Sequence, residues 1–355
     1  MWTINYASWG GALSLPNYLK REQYLATGPL GANGGLTHWI LVDSTLPPNK
    51  RATLASCESL RKRALVAYPN GPVREVITHG IGSVYCNPSY RGKGYAGRML
   101  RELGPTLRTW QTGEKVECEF SILYSDIGKT FYAGLGWHPF PSSHLSSASS
   151  SSSKNGGNHK AKALGVTDLK ELCETDEKYI RNCMERVNDG KIHVATIPDH
   201  ETMKWHHRRE QFLCSHIFPN RPAPSVKGAI SGESQGSRIW AIWTRSFSGP
   251  LVPESDNALH ILRLVIEDEK VSDDNVEGMK GILEIAQKEA KEWKLEHVEL
   301  WNPTDVARAL VQRAGLEYSQ VDREAESIPS LMWYGEGSGK VDEIEWVGNE
   351  KFGWC

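Results

Sequence analysis

A mixed α/β fold used twice along one chain is what this sequence predicts, and three observations carry the prediction. Strand-like and helix-like segments recur in the same order on both sides of a serine run. A turn rich in glycine and arginine, Tyr90 to Met99, joins an apolar strand to a helical stretch. Two distant segments can be laid on one another: Leu123-Tyr124-Ser125-Asp126 through Phe131-Tyr132-Ala133-Gly134-Leu135-Gly136, and Leu300-Trp301-Asn302 through Leu310-Val311-Gln312-Arg313-Ala314-Gly315. A length of 355 residues, above the usual ceiling for one hydrophobic core, agrees with two domains.

In chain order, Trp39 to Val42 and Arg63 to Ala67 read as strands, and Pro69-Asn70-Gly71-Pro72 as a hairpin turn. Val76 to Cys86 is a further strand, ended by Pro88. Met99, Leu100, Leu103 and Leu107 repeat at helical spacing, so a helix runs from Gly97 to about Leu107. Val116, Cys118, Phe120 and Ile122 alternate with polar residues, which is strand periodicity. Ile127 to Leu135 predicts a short helix stopped by Gly136. Residues 146–153 are seven serines and one alanine, followed by Lys154 to Asn158. Such a stretch cannot bury enough apolar surface to offset its ordering entropy, so 146–160 is expected to be a flexible linker between domains at 1–145 and 161–355. Beyond it come helices at about 166–186 and 199–215, then strands at Val226 to Ile230, Arg238 to Arg245 and Ala258 to Ile266. A helix from about Asp273 to Trp293, a strand from His297 to Trp301 and a helix from Asp305 to Ala314 complete the second set.

A formal charge of -2 and a pI near 6.6 provide no basic field for a nucleic-acid backbone or an anionic membrane. The first five residues do not resemble a signal peptide and no run of 18 apolar residues occurs, which leads to the expectation of a soluble, cytoplasmic protein. The seven cysteines are odd in number, irregularly spaced and without a C-x-x-C pair, so reduced thiols are expected rather than a disulfide frame or a metal site.

The glycine-rich turn carries the chemistry. A strand that ends in bare backbone and opens a helix presents unpaired N–H groups at the positive end of the helix dipole, where phosphate is the natural guest. Gly92 and Gly94 lack the Cβ atoms that would hold a pyrophosphate off, while Arg91, Lys93 and Arg98 add charge. A Walker loop requires Ser or Thr after Gly-Lys, and Tyr95 follows Gly94 instead. The partial G-x-G-x-x-G at 92–97 lies after several antiparallel strands, not after the first strand of a βαβ unit, which argues against a dinucleotide fold.

Arg91-Gly92-Lys93-Gly94-Tyr95-Ala96 resembles the R/Q-x-x-G-x-G/A signature of the GNAT acetyltransferases, and Phe131 to Trp137 resembles their F-Y-x-x-L-G-F segment. The resemblance implies a GNAT fold with a mixed, splayed central sheet, followed here by a second, degenerate GNAT-like domain. Trp9-Gly10 with Tyr18 to Glu22, Ser56-Cys57-Glu58, His79 to Val84, Leu123 to Lys129 and Trp205 to Glu210 are similar to the fungal L-lysine N6-acetyltransferases of lysine catabolism. What this implies is acetyl transfer from acetyl-coenzyme A to the side-chain amine of free L-lysine, by direct attack and without a metal. Other amine acceptors, such as a protein lysine, a polyamine or an aminoglycoside, and a coenzyme A-binding regulator without turnover, remain open at this point.

The same resemblance assigns roles. Val84, Tyr85 and Cys86 are expected to pair with the pantetheine arm; Arg91, Gly92, Lys93, Gly94, Tyr95 and Ala96 to hold the pyrophosphate; and Ser125 to stand where relatives contact the cofactor. Tyr132 matches the tyrosine that protonates the departing thiolate. An ordinary lysine amine, with a pKa near 10.4, arrives protonated and must lose that proton. His79 is one expected acceptor and an ordered water chain the other. Arg209, Glu210 and the carboxylate of Cys355 are the expected contacts of the acceptor. The acidic, glycine-free stretch Glu267 to Asp274 and Val311 in the register of Tyr132 imply that the second half binds no acyl donor and instead walls the acceptor pocket.

Overall fold

The computed structural model describes residues 1–114, 116–149 and 160–354. It opens with two helices that periodicity alone did not flag, α1 (Trp2–Trp9) and α2 (Leu15–Ala26). Pro16 sits in the first turn of α2, where a backbone N–H has no helical partner to lose. Next come β1 (Leu36–Leu41), β2 (Ala55–Ala67) and β3 (Arg74–Cys86). All three are antiparallel, with β1 along the first half of β2 and the turn near Asn70 closing the β2–β3 hairpin. Then α3 (Tyr95–Leu107) lays its predicted stripe of Met99, Leu100, Leu103 and Leu107 against Ile81, Leu123 and Trp137. The elements β4 (Cys118–Ser125), α4 (Thr130–Ala133), β5 (His138–Pro139) and β6 (Ser143–Ala148) finish this part. Val116, expected inside the strand, makes only an isolated bridge to Gly113.

The second part contains β7 (Ala161–Leu164), α5 (Leu169–Arg186), β8 (Ile192–Thr196), α6 (His200–Ile217), β9 (Gly228–Ser231), β10 (Ile239–Ser246) and β11 (Ala258–Ile266). It continues through α7 (Asp273–Glu292), β12 (His297–Trp301), α8 (Asp305–Arg313), β13 (Ser319–Asp322), β14 (Ile328–Trp333) and β15 (Ile344–Trp346). The expected repeat is visible in the pairing. In each half an antiparallel pair, β2–β3 or β10–β11, leads through a helix to a strand parallel to the second member of the pair.

The halves exchange strands. One sheet has the order β15-β8-β2-β3-β4-β14-β5, with β1 added on β2; the other has the order β13-β6-β12-β11-β10-β9-β7. Thus β14, from the far end of the chain, sits between β4 and β5, while β6 sits between β12 and β13 in the opposite sheet. Ser146, Ser147 and Ala148, expected as the start of a linker, are therefore strand. Serines are acceptable there because backbone groups of β12 and β13 supply the pairing on both sides, and Leu145 alone of β6 is buried. Residues 150–159, the rest of the expected linker, lie outside the described residues. Close approach seals the exchange on the other side. A Cβ added at Gly104 of α3 would lie 2.8 Å from Met332 Sδ of β14.

The two registers match residue for residue. The parallel pairing ends at Ile81↔Leu123 in one sheet and at Ile261↔Leu300 in the other, which equates Leu123 with Leu300 as the sequence overlay did. Past those points the strands part. Val84 of one half then corresponds to Leu264 of the other.

Candidate active site

Beyond Ile81, β3 keeps β2 on one side but loses β4 on the other, so the edge formed by Gly82 to Cys86 faces an open gap. Unpaired strand edges are ready-made sites for another extended chain. A cavity of about 590 Å³ occupies this gap, lined by Val84, Tyr85 and Cys86, by Arg91 and Ala96 at the start of α3, and by Tyr132 of α4. Sequence reasoning named all six. The gap also has a wall it did not foresee, made by Trp9, Tyr18, Arg21 and Glu22 of the first two helices and by Glu58 of β2. Beside it stands Arg209 of α6, named in advance as an acceptor contact, with Trp205 of the same helix and Trp354 of the chain end.

The turn before α3 has the expected anion-binding form. Gly92 and Gly94 adopt φ of +78° and +76°, and a Cβ at either would meet nothing within 4 Å, so the reason for glycine is backbone conformation beside open space. The amides of Gly92, Lys93 and Gly94 donate to no acceptor among the described residues. No side chain caps α3 and no acid lies in its first turn. Arg91 donates to the Cys86 carbonyl at 3.3 Å and lies 5.3 Å over the Tyr85 ring, while Lys93 lies 5.7 Å over Tyr90. An acyl-carrying nucleotide placed here would meet bare amides, a helix N-terminus and two cations, beside a free strand edge. These features fit acetyl-coenzyme A.

The second half shows the same frame with each feature withdrawn. Glu350 accepts a hydrogen bond from the Leu264 amide at 2.9 Å, plugging the edge that corresponds to Val84. Arg263 is held between Asp176, with bonds of 2.8 Å, and Glu350. Ser272 caps α7 through the Asn275 amide, and Asp273 and Asp274 fill its first turn. Val311 is buried in the core of this half. An anion would meet two carboxylates here, at a helix start already capped by Ser272.

Tyr132 is 8 % exposed, lines the cavity, and has no hydrogen-bond partner for its hydroxyl among the described residues. Burial raises its pKa, with the charges of Asp126 and Cys57 acting the same way. The phenol therefore keeps its proton at neutral pH, the state a proton donor needs.

Three sequence-predicted residues lie elsewhere. Side chains alternate across a strand, so Gly80 faces the cavity and His79 the α3 side, where its Nε2 meets the Trp110 carbonyl at 3.0 Å. Burial pushes this imidazole down to about 4. His79 is thus a packed core residue and not an amine base. Ser125 Oγ donates to the Gly128 carbonyl at 2.7 Å and accepts from the Ile127 amide, which ties the turn after β4 and commits its only proton. Glu210 turns away from its neighbour Arg209: it is fully buried, ion-paired to Lys227, and bonded to Arg245 Nη1 at 2.5 Å and to the Arg245 amide at 3.2 Å. It holds α6 to the second sheet rather than contacting an acceptor. The helical step of about 100° per residue separates the two.

Arg209, by contrast, does reach the cavity. Trp205 precedes it by one turn on the same face, the Trp354 ring lies 5.5 Å from its guanidinium, and no acid pairs with it among the described residues. Burial, reinforced by the charge of Arg21, lowers its pKa to about 9. The chain end is held in place by bonds from Lys62 Nζ to the Gly353 carbonyl at 2.8 Å and between His206 Nε2 and the Phe352 carbonyl at 3.1 Å. Trp346 and Phe352 are buried, so the tail packs back on the protein as the aromatic cluster suggested. Cys355 lies outside the described residues.

A family model described as the LYC1 GNAT-like C-terminal domain matches residues 144–355, beginning at the exchanged strand β6. The chain belongs to this family. It is 25% identical, over 99% of its own length and 96% of the relative's, to a lysine acetyltransferase of Yarrowia lipolytica. To an uncharacterized protein of Saccharomyces cerevisiae it is 24% identical over 99% of this chain and 94% of that one. A solved structure from Enterococcus faecalis, a probable N-acyltransferase, superposes with a TM-score of 0.51 at 14% identity, covering 94% of this chain and 69% of that one. That likeness is one of fold. By family and fold the protein is a GNAT-type acetyltransferase. Among the described residues there is no group of three or more side chains suited to a metal ion, and no helix is long and apolar enough to cross a membrane.

Proposed function

We propose that this protein transfers the acetyl group of acetyl-coenzyme A to the side-chain amine of free L-lysine. The observation that carries the reading is Arg209, a cation that no carboxylate among the described residues ion-pairs, in a cavity also lined by the free edge of β3. A free amino acid brings the carboxylate that Arg209 lacks, with an extended amine to reach the thioester. The lysine acetyltransferase among the relatives points the same way.

In this reading residues 1–145 carry the donor site, the chain after β6 connects, and 161–355 close the acceptor pocket through Trp205, Arg209 and Trp354. Acetyl-coenzyme A supplies the activated acyl group. Val84, Tyr85 and Cys86 hold its arm by their main-chain groups, the amides from Gly92 to Ala96 hold its diphosphate, and Arg91 screens the charge. Placement of amine and thioester in one enclosed site contributes most of the acceleration, because the encounter becomes effectively unimolecular. Tyr132 delivers a proton to the departing sulfur.

The deciding experiment follows thiol release from acetyl-coenzyme A with L-lysine, L-ornithine, decarboxylated lysine (a diamine) and lysine-containing peptides. L-lysine is expected to have the highest kcat/KM, and the diamine is expected to lose it chiefly through KM. Equal rates for the diamine or the peptides would remove the amino-acid reading while leaving acetyl transfer itself in place.

A further inference from the structure

The resting substrate amine is protonated, and with His79 packed away no histidine of β3 can take the proton. One carboxylate on the cavity wall stands apart from the others. Glu22 is engaged by Arg21 at 2.5 Å, and Asp126 accepts from the Ser327 amide at 3.0 Å in the turn after β4. Glu58 is different: it lies on β2, in the same sheet as the gap, and is coupled to a histidine that reaches solvent. His38 and Glu58 are direct cross-strand partners in the β1–β2 ladder, so their side chains share a face, and His38 Nδ1 lies 3.2 Å from Glu58 Oε1. The His38 side chain is 40% exposed, whereas that of Glu58 is 12% exposed. The indole N–H of Trp2 donates to the same Oε1 at 2.7 Å, and its ring packs edge-on against His38 at 5.2 Å. Both partners hold one oxygen. Ser83 of β3 also bonds to this carboxylate.

We propose that Glu58 accepts the proton lost by the substrate amine and that His38 relays it to solvent. This rests on the acetyl-transfer reading and completes its proton balance. An ammonium group brings three protons. One passes to Glu58 and on to His38 Nδ1, which accepts it when the ring carries its proton on Nε2, and the Nε2 proton leaves to water; the neutral nitrogen then forms the new N–C bond as the C–S bond breaks. A second replaces the proton that Tyr132 gives to sulfur, and the third stays on the product amide.

The surroundings suit a relay better than a resting base. Burial alone would raise the Glu58 carboxyl, but the bonds from His38 and Trp2, with a contact from Ser83 of β3, outweigh it and hold it below the usual carboxylate value. The carboxylate is therefore ionised at neutral pH and gives up an acquired proton readily, and imidazole is the side chain suited to carry it on. Tyr18 of α2 and Cys57 of β2 also feel the Glu58 charge; burial first, and that charge second or later, keep both protonated. Arg21, Glu22 and Arg209 line the same cavity.

The test compares pH profiles of kcat and kcat/KM for the full-length wild type, Glu58→Gln and His38→Gln, with acetyl-coenzyme A affinity measured by calorimetry as a check on folding. Glu58→Gln is expected to lower kcat at pH 7 by about 100-fold. The deficit should shrink steadily toward pH 10, because the free amine then arrives neutral on its own. His38→Gln, which keeps a donor but cannot carry a proton, should show a smaller deficit with the same pH trend. An active wild type with a Glu58→Gln variant of unchanged kcat, or with a deficit constant in pH, overturns the relay and leaves acetyl transfer standing. A wild type that releases no thiol with any amine overturns both. Lost donor affinity in Glu58→Gln marks misfolding, and His38→Gln then decides: a pH-independent rate ratio in that variant overturns the relay.

Discussion

Arg209 and Glu210 are neighbours in sequence, and their substitution separates a pocket role from a structural one. Glu210→Gln removes the only acid paired with Lys227 among the described residues, a lysine that is 4% exposed, together with one of the partners of Arg245. Removing one partner of a buried ion pair strands the other charge, at a cost of about 3–5 kcal/mol. With an unfolding entropy of about 2.1 cal/mol/K per residue, a 355-residue chain melting as one unit should then lose roughly 4–7 °C in Tm. Arg209→Met should behave oppositely. It removes a cation that burial already disfavours, so Tm should hold or rise, while KM for L-lysine increases on the order of 10- to 100-fold with the loss of a charge-assisted bond to its carboxylate. The assays are calorimetric melting and steady-state thiol release. A Glu210→Gln protein with unchanged Tm and raised KM, or an Arg209→Met protein with unchanged KM, would show that the two residues had been assigned the wrong way round.

Other outcomes follow from the same structure. Tyr132→Phe should lower kcat by about 100-fold or more, with acetyl-coenzyme A affinity nearly intact; an unchanged kcat removes the phenol from the chemistry. Gly104→Leu should cost about 1–3 kcal/mol by forcing α3 off Met332 and Trp137, and a neutral result in chemical denaturation would contradict the close packing of the exchanged strand. Acidification should weaken the fold through its buried histidines. Burial lowers His79 and His207 to about 4, and lowers His206 as well, whereas the unfolded chain binds those protons near 6.5. Stability is then complete above about 6.5 and declines as pH falls toward 4, by about 2 kcal/mol for each of His79 and His207 at pH 5. A Tm that stays level between pH 7 and 5 would refute this account.

The exchange of β6 and β14 ties the two halves together and bears on how the protein evolves and breaks. A cut anywhere between 149 and 160 leaves each sheet dependent on a strand from the other piece. Neither half closes its own sheet, so the repeats are joined through main-chain pairing as well as through a cavity between them. This also explains why a degenerate second half persists. Its own cleft is plugged by Glu350, yet its helix α6 and its chain end complete the pocket of the first.

Local pattern made much of this legible. The stripe of α3, the hairpin of β2 and β3, the overlay of Leu123 on Leu300 and the bare turn at 92–94 depend on neighbours within a few residues, and they appear where periodicity and glycine chemistry put them. The motif named Tyr132, and the structure puts it on the cavity wall. Glu58 was visible only as part of the quoted Ser56-Cys57-Glu58. Its one signal was a carboxylate in a strand of otherwise apolar, hydroxylic and basic residues.

What the chain order determined by itself was the repeated α/β unit and the bare, glycine-built turn that opens α3. Only the tertiary structure decided which face each side chain of β3 and α6 presents, sending His79 and Glu210 inward and Gly80 and Arg209 to the cavity. It alone paired His38 with Glu58, swapped the last strands and folded Trp354 over the pocket. The physical reason is range: periodicity and turn chemistry act over a few residues, whereas burial, ion pairing and strand partnership join groups that are far apart along the chain.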